Sequence, residues 1–169
     1  MKKWHIPCKI AVTDFEERQK GEPSELVRYN AEGKAQIAAL RFPDALVIGV
    51  DTIGVIGKRI LTKPVDMDDA RKMLKRLSGS THEVLTGLTL IYKGKKKSVV
   101  VRTGLKFRKV SAAEIEKYLG SGQWKGKAGA YAIQGRAKGF LDEIEGDFTN
   151  VVGLPMPTLI KMLKAWKVV

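Results

Sequence analysis

The chain is poor in the residues on which disulfide-stabilised proteins and metal clusters depend. Cys8 is the only cysteine among 169 residues, which excludes a disulfide framework and a Cys-rich metal site. The longest apolar run, residues 45–50, is far too short to span a membrane. The basic N-terminus, MKKWHIPCKI, also lacks the apolar stretch of a secretory signal. We therefore expect a soluble cytoplasmic protein with no membrane partner.

Several common ligand-binding motifs are missing as well. The sequence has no GxxxxGK[ST], no GxGxxG before a helix, and no His and Cys spacing that is typical of zinc sites. Positive charge, in contrast, is abundant: 31 Lys and Arg face 18 Asp and Glu, a net charge of +13. Such a surface attracts nucleic acid, acidic membranes or small phosphorylated ligands. The basic residues are scattered and the aromatic residues do not cluster, so we expect no specific nucleic-acid binding.

Helical and strand-like patterns alternate along the chain and predict an α/β or α+β domain that covers residues 1–169. Ser24 is a plausible N-cap for an Ala-rich helix, and Asp66 for a second helix. Ser111 and Glu114 have capping-box spacing for a third helix. Pro155 begins a C-terminal amphipathic helix.

The strand-like segments predict several hairpins and a β-ribbon. ALVIGV predicts a buried strand, followed by a turn at Gly57 and Lys58. THEVLTGLTLIY and KSVVVRTGLKFRKV, joined by GKKK, predict a long β-ribbon whose turn lysines are solvated. AYAIQG predicts a short strand after a glycine-rich loop, and residues 139–145 predict another strand.

A carboxylate, Asp51, follows the apolar run, and Lys63 returns after the hairpin. A turn centred on Gly57 places Asp51 opposite Lys63, whereas a two-residue Gly57–Lys58 turn places Thr52 opposite Lys63. In either register the acid and the amine are cross-strand neighbours, with Cβ atoms roughly 5 to 8 Å apart.

Two explanations of this pair remain open at this point. One is a structural ion pair that caps a buried strand. The other is a ligand site, because open α/β sheets bind ligands beyond the carboxyl ends of their strands, where we expect Asp51. A carboxylate there can hold a divalent cation or accept a proton from water, and a lysine can contact phosphate.

Three further polar residues have ordinary explanations when each is taken alone. Lys34, on the Ala-rich helix, either extends to solvent or points at a ligand. Glu17, in TDFEERQKG, is expected to be solvated. His82, in THEVLTG, is expected to be a surface or packing residue.

Five ordered blocks of this sequence resemble the Maf family of nucleoside triphosphate pyrophosphatases. They are NAEGKA, VIGVDTIGVIGKRILTKP, THEVLTG, AGAYAIQG and NVVGLP. The resemblance implies an α/β fold with a mixed, twisted β-sheet flanked by helices, and with a cleft between two lobes, as in inosine-triphosphatase-like proteins. It also implies hydrolysis of a nucleoside triphosphate to the monophosphate and pyrophosphate with Mg²⁺ or Mn²⁺.

The same resemblance implies roles for individual residues. Asp51 is similar to the general base that activates water, and Lys34 and Lys63 are similar to phosphate-contacting lysines, so these three form the catalytic set. Glu17, with Asp51, is similar to a metal ligand. Thr52 and Gln134 resemble the substrate-binding residues of the subgroup that prefers dTTP and UTP. A Gln side chain offers both a donor and an acceptor to a pyrimidine edge.

One motif of the family does not occur in this sequence. Members normally begin with a strand and a Ser-x-Ser-Pro-Arg-Arg loop that holds the triphosphate, and Lys2 or Lys3 would replace the rigid arginine forks poorly. Without that strand we expect an uncovered sheet edge or gap, which a second subunit of a homodimer would cover. The alternative function is therefore a nucleotide-binding regulatory module with weak or no turnover.

Overall fold

The computed structural model describes residues 7–168, so Lys2 and Lys3 lie outside the described residues. The helices are α1 (Pro23–Arg41), α2 (Met67–Leu77), α3 (Ala112–Gly120), α4 (Phe148–Val151) and α5 (Met156–Ala165). The strands are β1 (Val47–Ile56), β2 (Arg59–Leu61), β3 (Thr81–Tyr92), β4 (Lys95–Phe107) and β5 (Leu141–Glu145). Two short 3-10 helices, Ala128–Ala130 and Arg136–Phe140, lie between α3 and β5. Within the described part of the chain, no helix has the length and apolarity that crossing a membrane requires.

The strands form one sheet in the order β2-β1-β3-β4-β5, and each neighbouring pair is antiparallel. The expected sheet with flanking helices is therefore confirmed. β1 pairs with β3 over most of its length but with β2 only from Gly54 to Ile56. Within residues 7–168, the stretch of β1 over residues 47–53 consequently has no strand on that second side.

Helix α1 packs unusually close to the β1–β3 pair because two strand positions have no side chain. A Cβ atom at Gly49 would lie 2.3 Å from the carbonyl oxygen of Ala31, and one at Gly87 would lie 2.1 Å from that of Val27. Only glycine is compatible with such an approach. The alanine-rich face of α1 therefore lies directly on the sheet, where β1 contributes its odd-numbered residues.

The other face of the sheet carries two hydrophobic clusters. Toward one end, Leu88 and Leu90 of β3 pack against Leu159 and Leu163 of α5. Toward the other end, α2, α3 and the two 3-10 helices surround a larger cluster, which includes Leu77, Leu105, Phe107, Leu119 and Phe140. Both clusters exclude water from the sheet, and the polar residue Thr86 lies between them on β3.

Local capping signals predicted two helix starts correctly and one incorrectly. The Asp66 carboxylate accepts the N–H of Asp69 at 2.7 Å, and Ser111 and Glu114 form the predicted capping box. Helix α1, however, begins at Pro23, and its N-cap is Glu22, whose carboxylate accepts the Glu25 N–H at 2.8 Å. The Ser24 prediction is wrong because proline favours the first helical position, which moves the cap to the residue before it.

Two strand predictions also need correction. No strand forms in AYAIQG: Ala130 has a positive φ of 61°, and the Gly135 N–H donates to the Ala132 carbonyl oxygen in a turn. The β3–β4 turn consists of Lys93 and Gly94, both with positive φ, and all three lysines of GKKK begin β4. Those lysines are exposed, as predicted.

Candidate active site

Asp51 lies in the middle of β1, not at its end. The strand continues through Ile56 because Thr52 pairs with Thr86 and Val55 with Glu83 of β3. The prediction of a strand terminus at Asp51 is therefore wrong, since the β-branched residues that follow favour extended backbone. Consecutive side chains of a strand point to opposite faces, so Asp51 faces α1 and Thr52 faces the other side.

Two donors from α1 hold the carboxylate of Asp51. The Lys34 Nζ donates to Oδ1 at 2.7 Å, and the Asn30 Nδ2 donates to Oδ2 at 3.1 Å. Asp51 is 9% exposed. Because each oxygen has its own donor, the plane of the carboxylate is fixed relative to the helix.

Lys34 also contacts a second carboxylate. Its Nζ lies 2.7 Å from Oε1 of Glu17. Burial lowers the pKa of Lys34, but hydrogen bonds from its ammonium to Asp51 and Glu17 outweigh burial and raise that pKa above its usual value. Lys34 is therefore a cation at neutral pH, held between two carboxylates. The sequence context predicted a solvated Glu17, and this prediction is wrong because the Glu17 carboxylate pairs with Lys34.

The segment that precedes α1, residues 7–22, lies alongside this helix and brings Glu17 to the site. The Phe15 ring packs on Tyr29 with centroids 5.7 Å apart, and the Arg18 guanidinium lies 3.5 Å from the centroid of the same ring. Arg41, at the end of α1, donates to the Asp14 carboxylate at 2.7 Å. Contacts on both sides of Glu17 thus fix the segment.

Lys63 does not pair with Asp51. The turn is the two-residue Gly57–Lys58 alternative, because Ile56 pairs with Arg59. β2 ends two residues before Lys63, which is exposed, and no ion pair links Lys63 to Asp51 within the described chain. The predicted Asp51–Lys63 pair is wrong because the β1–β2 ladder ends before it reaches Asp51. The lysine that pairs with Asp51 is Lys34.

Thr52 lines a small cavity on the opposite face of the sheet. The cavity is also lined by Gly54, Lys127, Tyr131, Ile133 and Val151. The Thr52 Oγ1 lies 2.8 Å from the Oγ1 of Thr86, which donates to the carbonyl oxygen of Asn150 at 3.3 Å. Gln134 is exposed and follows Ile133 directly, so its segment borders the same cavity.

Comparison with known proteins agrees with the five sequence blocks. A family model described as "Maf-like protein" matches residues 1–166. The chain belongs to the Maf family. A protein from Syntrophus aciditrophicus named dTTP/UTP pyrophosphatase is 44% identical over 153 residues, which cover 89% of this chain and 75% of the relative. Relatives of the same name from Pelotomaculum thermopropionicum and Pyrococcus abyssi are each 40% identical; the matches cover 97% and 92% of this chain, and 88% and 84% of the relatives.

The structure of this Maf chain adds two residues that sequence reasoning missed. Asn30 contacts Asp51, and its spacing of four from Lys34, which places both on one helix face, was the available signal. Lys127 lines the Thr52 cavity and comes from the glycine-rich loop, to which the sequence assigned no role. The Gly129 N–H donates to the Thr62 carbonyl oxygen at 3.0 Å, which fixes this loop beside the residue that precedes Lys63.

The predicted metal ligands, Glu17 and Asp51, converge on one ammonium group, that of Lys34. Residues 7–168 contain no group of three or more His, Cys, Asp or Glu side chains placed to hold a metal ion. Mg²⁺ commonly takes one or two protein carboxylates and completes its shell with water and phosphate oxygens. Glu17 and Asp51 match this number of carboxylates, but in the structure both are bound to the Lys34 ammonium.

His82 is a packing residue, which confirms one of its two expected roles. It is 2% exposed, its Nε2 lies 2.9 Å from the Tyr131 hydroxyl, and its ring contacts Phe107 edge-on with centroids 4.9 Å apart. Burial lowers the pKa of His82 to about 4. The neutral imidazole thus belongs to the core beneath the Thr52 cavity.

The free energy of unfolding should consequently depend on the protonation of His82. In the unfolded chain a His side chain titrates near pH 6.5. The contribution of the neutral, buried His82 imidazole to the free energy of unfolding is therefore complete above about pH 6.5, and it is lost as the pH falls toward 4 because the unfolded chain then binds a proton that the folded protein does not. We expect the wild type to lose on the order of 3 kcal/mol more than His82→Gln over this interval. Urea unfolding at several pH values measures this difference. Parallel losses in both proteins would contradict it.

Proposed function

We propose that this protein hydrolyses nucleoside triphosphates to the monophosphate and pyrophosphate, with dTTP and UTP as the preferred substrates. The observation that carries the proposal is the protonated Lys34 held between Glu17 and Asp51 at 2.7 Å from each. A carboxylate that can accept a proton, beside a cation that can contact phosphate, suits hydrolysis of a phosphoanhydride. The printed names of the relatives support the choice of dTTP and UTP.

In the proposed reaction, the oxygen of a water molecule attacks the α-phosphorus. The bond from this phosphorus to the oxygen that bridges to the β-phosphorus breaks, and pyrophosphate leaves. Asp51 accepts the proton of the attacking water. Lys34 and Lys63 contact phosphate oxygens and stabilise the charge that develops on them.

Two further sets of residues complete the proposed site. Asp51 and Thr52 lie on opposite faces of β1, so the nucleotide crosses the edge of this strand that is unpaired within residues 7–168. Thr52 and Gln134 then contact the pyrimidine, and the amide of Gln134 matches its donor and acceptor groups. Glu17 and Asp51 would hold Mg²⁺ or Mn²⁺, which would neutralise phosphate charge. We place the activity in the cytoplasm, where nucleoside triphosphates are consumed.

The test is release of pyrophosphate from dTTP, UTP, CTP and GTP with either Mg²⁺ or Mn²⁺. We expect dTTP and UTP to exceed the other two in kcat/KM by about tenfold or more. Chromatography must show a monophosphate as the nucleotide product, since a diphosphate would mean cleavage at the other anhydride.

Calorimetry separates this proposal from the alternative of a regulatory module. Saturable binding of dTTP or UTP without any pyrophosphate would favour the module and reject the enzyme. Absence of both binding and product would reject both functions.

A further inference from the structure

Asn30 connects the two carboxylates of the site through its buried amide. It is 2% exposed. Its Nδ2 donates to Oδ2 of Asp51 at 3.1 Å and to the carbonyl oxygen of Arg18, also at 3.1 Å. Its Oδ1 accepts the backbone N–H of Arg18 at 2.9 Å. One planar group thus contacts both Asp51 and the residue next to Glu17.

The two bonds to Arg18 resemble the pairing of neighbouring strands, in which one residue both donates to and accepts from its partner. They therefore fix the backbone beside Glu17 in position and orientation. The bond to Asp51 does the same for its carboxylate. Since Lys34 meets both carboxylates at 2.7 Å, a small displacement of either would break this arrangement.

Packing alone does not require an amide at this position. Val27 and Ala31, buried neighbours of Asn30 along α1, are apolar, and the polar residue that shares its helix face is Lys34. Burial of an amide is unfavourable unless its polar atoms find partners. Here all of its partners belong to the two segments that carry Glu17 and Asp51, which links Asn30 to the site.

We propose that Asn30 is a positioning residue that holds Glu17 and Asp51 in register around Lys34. This inference rests on the proposed function. Asn30 does not contact the reacting atoms; it acts through the two carboxylates. Catalysis depends on such placement, because a displacement of about 1 Å can lower the rate by about 10²-fold.

Steady-state kinetics with UTP test the proposal. Asn30→Leu keeps the branching of the side chain without its polar atoms but is larger, so Asn30→Ala, a smaller residue and a good helix former, is the second variant if Leu disturbs the fold. We expect kcat to fall by about 10²-fold in both while KM changes by less than about threefold. Glu32→Gln, two residues along the same helix, breaks a pair with Lys96 that lies outside the site and should retain the wild-type kcat.

A double-mutant cycle distinguishes positioning from a general loss of stability. The double variant combines Asn30→Ala with Glu17→Gln. Because Asn30 acts partly through Glu17, the fold-loss of kcat in the double variant should be about fivefold smaller than the product of the fold-losses in the two single variants. Independent, multiplicative losses would overturn the proposal.

Hydrogen exchange provides a readout that does not depend on activity. The Arg18 amide donates to Asn30, so it should exchange faster in both Asn30 variants than in the wild type and Glu32→Gln. Unchanged exchange, or a wild-type kcat in folded variants, would overturn the inference while the proposed function stands. A wild type that releases no pyrophosphate would reject the proposed function itself, and the inference with it.

Discussion

Asp51→Asn is expected to lower pyrophosphate release from UTP by about 10² to 10⁴-fold, the usual range for loss of a general base. The substitution keeps the size of the side chain, and its amide oxygen can still accept from Lys34. The amide cannot take a proton from water. A second change follows at Oδ2, where the new NH₂ group would face the Nδ2 of Asn30, donor against donor. The measurement is kcat under saturating UTP, with circular dichroism to confirm the fold.

Asp14→Asn is the matched control for this experiment. Asp14 is a carboxylate in the segment before α1, its side chain is 79% exposed, and its partner is Arg41 outside the site. Because exposed ion pairs contribute little, this variant should retain the wild-type rate. Equal rates for Asp51→Asn and the wild type would show that the carboxylate of Asp51 has no part in the reaction.

Features that depend on neighbours in sequence were predictable. The N-caps at Asp66 and Ser111 each need a side chain and an N–H three residues later, and both are formed. The two-residue hairpin at Gly57 was one of two registers that the turn chemistry allowed. The cap of α1 was missed by two residues, because Pro23 decided where the helix begins.

The partner of Asp51 was not predictable from spacing, because it depends on contacts between distant segments. The hairpin indicated Lys63, but its ladder ends at Leu61. Lys34 reaches Asp51 because α1 lies on the bare backbone of Gly49 and Gly87, a close approach that periodicity does not reveal. Taken alone, Lys34 and Glu17 each had an ordinary explanation, and only the family resemblance assigned them roles in the site.

Lys34→Met is expected to lower kcat/KM for UTP by about 10² to 10³-fold, comparable to the loss of one preorganised donor to a developing negative charge. Met retains the length and apolar stem of Lys34 but has no ammonium group. Glu17 and Asp51 would then face each other without a cation between them, and phosphate oxygens would meet two negative groups. Because hydrogen bonds to both carboxylates raise the pKa of Lys34, the wild type keeps its cation, and no change in its rate from deprotonation of Lys34 is expected from roughly pH 6 to 9.

Lys96→Met controls for the loss of one positive charge near α1. Lys96 pairs with Glu32 at 2.8 Å, and its side chain is 43% exposed, against 24% for Lys34. In both variants a carboxylate loses its lysine partner, but only Lys34→Met removes the cation that contacts Asp51. If the two variants lost activity equally, the effect of Lys34 would be one of net charge and long-range attraction of the nucleotide. A loss confined to Lys34→Met, unchanged by added salt, assigns it to the contacts with Glu17 and Asp51, since screening weakens only the longer-range interaction.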